Sequence, residues 1–112
     1  MFRSDLDALG LSRRGERSEQ PVHVPDGVAT YEHEVRVAVE VERTVKAPAR
    51  LVRIVEQLLT DYPVVLYAVA GNDVRRAVLS AERSARRVLA HRQVSAERIG
   101  ALSVIELPEE LG

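Results

Sequence analysis

Pro25-Asp26-Gly27-Val28-Ala29-Thr30-Tyr31, then Glu32-His33-Glu34, then Val35-Arg36-Val37-Ala38-Val39-Glu40-Val41-Glu42 is the stretch that decides the fold. Two β-prone runs flank a short polar break, which is the signature of a hairpin. If Glu32-His33-Glu34 form a three-residue turn, Tyr31 pairs with Val35 and the ladder carries Asp26 to a position opposite Glu40. Directly opposed residues share a face with Cβ atoms roughly 5 Å apart. Glu42, two residues on, leaves from that same face. Three carboxylates then converge near Lys46. Like charges gathered this way need a proton or a cation between them, which points to a hard divalent metal such as Mg²⁺.

Outward from the hairpin, Val35, Val37, Val39 and Val41 alternate with Arg36, Ala38, Glu40 and Glu42, so the valines are expected in the core and the acids on the wet face. Val22 to Val24 reads as a short strand before Pro25. Pro48 suits a first helical turn. Leu51, Ile54, Val55, Leu58 and Leu59 then recur at helical spacing until Pro63 forbids continuation. Pro63 to Ala70 is an uninterrupted apolar run, expected as a central strand buried on both faces. Val74, Ala77, Val78, Ala81, Ala85, Val88 and Leu89 mark a second helix from near Asp73 to about Ala90. Leu102 to Leu107 closes the series as a strand before Pro108. Residues 1–20, with a short helix at Ser4 to Leu9 and many charges, read as a flexible lead-in, and residues 21–112 as one domain. The fold class is therefore α/β: an N-terminal antiparallel hairpin, then helix-strand-helix-strand with a parallel crossover, giving a mixed sheet flanked by two main helices.

The chain has 112 residues, no cysteine and a net charge of −1. That length supports one modest core. Thiol chemistry is excluded, and the composition fits a reducing cytoplasm. No apolar stretch approaches a membrane span, and the first residues do not read as a signal peptide, so no membrane role is expected. Aromatic residues are scarce, which disfavours a base-stacking platform. Neither a phosphate-binding glycine loop nor a zinc set is present: Gly71 stands alone, and His23, His33 and His91 are not spaced as ligands. His23, two residues before Pro25, either approaches the acids or merely sits in a strand, and the second is the expectation.

Pro25-Asp26, Glu40-Val41-Glu42 on the next strand and the helix after it resemble the PD-(D/E)XK superfamily, the restriction-endonuclease-like fold. More narrowly, Val24 to Val28 with Val37 to Leu51 resembles the C-terminal domain of actinobacterial replication-relaxation proteins, over roughly residues 22–107. Those proteins usually carry a winged-helix DNA-binding domain upstream; no such segment is in this sequence, so the resemblance implies either a truncated relative or a separate stand-alone version. The resemblance implies a nuclease-like domain that hydrolyses phosphodiesters in plasmid replication-relaxation or mobilisation. It implies Mg²⁺ or Mn²⁺ held by Asp26, Glu40 and the carbonyl of Val41, with Glu42 orienting water or sharing a second metal, and Lys46 either stabilising the phosphoryl group or positioning the nucleophile. Glu42 departs from the superfamily pattern, which places lysine two residues after Glu40. Gln57 and Tyr62 echo a Gln and Tyr of some nuclease branches, at a different spacing.

Plainer readings stand beside these. Pro-Asp-Gly is a strong turn former, and Glu40 and Glu42 are equally the solvated face of an edge hairpin. The competing function is a catalytically silent nuclease-fold domain that binds DNA or a replication or mobilisation protein. A metal between Asp26 and Glu40 favours the enzyme; Arg36 or Lys46 filling that space favours the silent domain. Arg50 and Arg53, near the acids, are the first candidates for DNA-backbone contacts. Arg75, Arg76, Arg83, Arg86, Arg87 and Arg92 outnumber Asp73 and Glu82 on the second helix, and read either as phosphate contacts or as a solvated face. A domain this small needs a homodimer for double-strand cleavage.

Overall fold

A computed structural model describes residues 23–108. The expected lead-in of residues 1–20 lies outside them, as does Val22. His23 to Pro25 is irregular, so the short strand expected there is not formed by its described residues.

The fold is α/β. Strands β1 (Gly27–Tyr31), β2 (Val35–Glu42), β3 (Val64–Val69) and β4 (Ala101–Glu106) alternate with helices α1 (Pro48–Asp61) and α2 (Asn72–His91). The sheet order is β1-β2-β3-β4. β1 runs antiparallel to β2, while β2, β3 and β4 are mutually parallel. The hairpin register is the one that a three-residue turn dictates, with Tyr31 opposite Val35 and Gly27 opposite Val39. Glu32–Glu34 make that turn as a single 3₁₀ turn, with His33 and Glu34 in the left-handed region at φ of 62° and 61°. Positive φ in a short hairpin loop matches the twist of its strands.

Two successive β-α-β crossovers of the same hand place both helices on one sheet face. There α1 contributes Leu51, Ile54, Val55, Leu58 and Leu59, and α2 contributes Val74, Val78, Ala81, Ala85 and Leu89. These close over Val28, Ala38, Val65, Tyr67 and Val69 of the sheet in one core. Each large aliphatic side chain buried this way contributes about 2 kcal/mol. The strand-helix corner at α1 uses Pro48 as its first residue and has no side-chain cap, with Leu51 N–H reaching the Ala47 carbonyl at 3.0 Å. At the other corner, Gly71 adopts φ of 98°, a conformation that favours glycine, and lets β3 turn directly into α2.

The inward stripe of β2 differs from the sequence reading. Ala38, Glu40 and Glu42 are buried beneath the helices, whereas Val35, Val39 and Val41 are half-buried on the opposite face. The cause is topological. β2 lies between β1 and β3, and α1 returns over the side bearing Ala38, so the acids take the inner positions and the valines the outer ones. β3 is likewise half-buried on its outer face at Val64 and Leu66. Among the described residues, no helix covers that face.

Candidate functional site

The acids assemble at the β1-β2 corner. Asp26 precedes β1, and extension of the ladder register puts it across from Glu40. Its carboxylate accepts the Val41 N–H at 2.7 Å. In a strand, the N–H and C=O of one residue leave toward the same edge, so the Val41 carbonyl also faces the Asp26 side. Glu42 agrees with this alternation, because its carbonyl points the other way and accepts Ala70 N–H at 3.0 Å.

Glu40 and Glu42 are each 3 % exposed. Burial raises the Glu40 pKa above its ordinary value; His23 opposes that rise through a hydrogen bond and charge, and the negative charge of Asp26 adds to it. The His23 imidazole Nε2 meets Glu40 Oε2 at 2.8 Å, so this histidine does not merely occupy a strand. It is fixed by helix α1. Gln57 Oε1 on α1 accepts the His23 N–H at 3.1 Å, and Gln57 Nε2 donates to the His23 carbonyl at 2.7 Å. Lys46, in the corner before α1, donates to Glu42 Oε2 and forms an ion pair with it.

Arg36 does not enter the space between Asp26 and Glu40. Its guanidinium lies over the Tyr62 ring, 4.9 Å from the centroid. The two positions flagged after the core motif therefore have structural work: Gln57 clamps His23, and Tyr62 supports Arg36.

Asp26, Glu40 and the Val41 carbonyl supply hard oxygen donors. Among the described residues, no three His, Asp or Glu side chains are already gathered as a metal-holding set. Mg²⁺ commonly takes only one or two carboxylates and keeps several waters, so two carboxylates with one carbonyl fit its chemistry. A cation there competes with His23 for Glu40 Oε2.

Beside the acids, a groove of about 890 Å³ runs along α1 and is lined by His23, Arg50, Arg53, Gln57 and, from the end of α2, Arg92. Arg50 and Arg53 are exposed, and neither has a hydrogen bond or ion pair among the described residues. The α2 arginines mostly do. Arg76 pairs with Asp73 at 2.8 Å, Arg86 with Glu82 at 2.9 Å, Arg92 with Glu56 at 3.1 Å and Arg75 with Glu106 at 3.4 Å. That occupancy agrees with a solvated face more than with a phosphate-gripping helix.

Sequence reasoning missed Tyr67. It lay hidden in an apolar run, yet it stands directly opposite Glu40 on β3, and its buried hydroxyl has no hydrogen-bond partner. A lone tyrosine among aliphatic neighbours was the available signal. No described helix is long and apolar enough to cross a membrane. No family model matches the chain, and comparisons with curated proteins and with solved structures find no match either.

Proposed function

We propose that the chain is a metal-dependent, DNA-processing domain of the restriction-endonuclease-like, PD-(D/E)XK kind. In this reading it hydrolyses phosphodiesters in the cytoplasm, in plasmid replication-relaxation or mobilisation. The observation that carries the reading is the burial of Glu40 and Glu42 at 3 % exposure beside Asp26. Stability alone favours apolar side chains at such positions, and acids kept there at a cost mark functional sites.

In this reading Asp26, Glu40 and the Val41 carbonyl hold Mg²⁺ or Mn²⁺. The ion, when bound, supplies Lewis-acid stabilisation of the phosphoryl charge and acidifies water. Glu42, steadied by Lys46, orients the attacking water. Lys46 has a flexible stem and turns its ammonium from Glu42 toward a phosphoryl oxygen as charge builds there. Arg50 and Arg53 hold neighbouring backbone phosphates in the groove and so fix the strand relative to the acids. Cleavage of both strands of a duplex calls for two copies.

The test is Mn²⁺-dependent cleavage of supercoiled plasmid and of single-stranded DNA by the wild-type chain, Asp26→Ala and Glu40→Ala. The wild type should cut, and each variant should lose about 100-fold or more. Folded wild-type protein that leaves both substrates intact sinks the enzymatic reading.

A second reading has its own support, because His23 and Lys46 already pair with Glu40 and Glu42. It makes the domain a silent module that binds DNA, or a replication or mobilisation protein. It predicts that DNA is retained without being cut and that Arg50→Ala and Arg53→Ala weaken the retention.

A further inference from the structure

Tyr67 occupies the inward stripe of β3 between Val65 and Val69 and is 1 % exposed. Its ring fills volume that a phenylalanine would fill equally well, so packing does not account for the hydroxyl. That oxygen is buried without a hydrogen-bond partner, in a class of atoms that folded proteins almost always satisfy. Its surroundings are specific. Tyr67 stands directly opposite Glu40 in the parallel register, so both side chains leave the sheet on the same face, and the charges of Glu40, Glu42 and Asp26 all act on the phenol. Desolvation, reinforced by those three charges, keeps it protonated far above the ordinary tyrosine range. It is therefore a donor.

One oxygen of each acid is engaged elsewhere, Glu40 with His23, Glu42 with Lys46 and Asp26 with the Val41 N–H, and the hydroxyl bonds to none of the three. A buried donor that stands opposite Glu40 and bonds to none of the acids lacks an acceptor oxygen. Direct ligation of a cation does not fit, because phenolate would add a fourth negative charge to the pocket. A neutral hydroxyl donating to a water in the shell of a cation does fit, since hydrated Mg²⁺ and Mn²⁺ present such oxygens.

We propose that the Tyr67 hydroxyl is part of the ligand site of the acid pocket, donating a hydrogen bond to a water in the shell of a divalent cation held by Asp26 and Glu40. The inference rests on the reading of these acids as a cation site. Tyr67 is a positioning residue: it selects a hydrated cation over a bare one and orients one water beneath the carboxylates.

The experiment uses the full chain, with Mn²⁺ alone as the probe, and compares the wild type, Tyr67→Phe and Glu40→Gln. Free Mn²⁺ is read by electron paramagnetic resonance, and each metal-free protein is melted. Metal-free Tyr67→Phe should melt at or above the wild-type temperature, because the ring stays and an unpartnered buried donor goes. Its Mn²⁺ affinity should fall about five- to tenfold, the worth of one hydrogen bond, and Glu40→Gln should fall further. Equal Mn²⁺ affinity in wild type and Tyr67→Phe overturns the role of Tyr67 and leaves the acids as a cation site. A metal-free Tyr67→Phe protein that melts lower also overturns it, since the hydroxyl would then have a protein partner. A wild-type chain that binds no Mn²⁺ removes both this inference and the metal-dependent reading beneath it.

Discussion

The region around β1, β2 and the start of α1 treats charge in the opposite way from the region built by α2 and β4. In the second, charged groups stay at or near the surface and find one another, as Arg76 does with Asp73 and Arg86 with Glu82. Such pairs contribute little, generally under about 1 kcal/mol each, but they leave nothing strained. In the first, Glu40 and Glu42 are under the helices, while Arg50 and Arg53 stand in solvent without a described partner. A chain shaped for stability alone would reverse that placement. The contrast teaches that one part of the domain keeps its charges paired near the surface while the other buries acids and leaves basic side chains in solvent.

The sharpest way to break the contrast is to damage the half built by α2 and β4. A Cβ on Gly100 would meet the Tyr62 carbonyl oxygen at 2.1 Å. The Gly100 N–H also reaches the Leu59 carbonyl at 2.8 Å, seating the start of β4 against the end of α1. Gly100→Val should cost about 2–3 kcal/mol through overpacking against backbone, read as a fall in melting temperature of about 10 °C or more. A melt unchanged from the wild type would show that this junction is looser than its contacts indicate.

A second test sets the two groups of arginines against each other. Replacing Arg50 and Arg53 together by alanine should weaken DNA binding about tenfold and reduce the salt slope by about 2. Arg76→Ala should leave both unchanged, with stability within about 0.5 kcal/mol of the wild type. Equal losses from the two helices would erase the distinction between them.

The subtlest readout is a slope. Glu40 has its folded-state pKa raised above 4.5, so the folded protein holds this proton more tightly than the unfolded chain. The stabilisation this provides is complete below pH 4.5 and is lost as pH rises through the folded-state value. Melts of wild type and Glu40→Gln across that range should show the wild type losing stability relative to the variant as pH rises. Parallel curves would mean that His23 fully offsets the burial.

Much of this architecture was legible in the sequence because local rules set it. Turn length fixed the pairing of Tyr31 with Val35 and hence the place of Asp26, and the apolar stripe of α1 ended where Pro63 required. The inner face of β2 was not legible. Period-two alternation separates two stripes of residues, but which one lies under a helix depends on where α1 returns. Valines on one stripe outweighed Ala38 on the other. The His23 clamp was hidden for a related reason, since Gln57 lies 34 residues away in the chain. Tyr67 acquires its meaning only when β3 pairs in parallel with β2 and brings it opposite Glu40.

The grip of Gln57 on His23 has a mechanical consequence. One side-chain amide holds both the N–H and the C=O of a residue just ahead of β1, as a neighbouring strand would. The imidazole of the same residue rests on Glu40. Tension that reaches His23 is therefore borne by those two hydrogen bonds. When they give way, the imidazole is drawn off the carboxylate, while the register of β1, fixed from the turn at its far end, stays as it was. A load on the backbone thus reaches one of the two buried acids through a single residue.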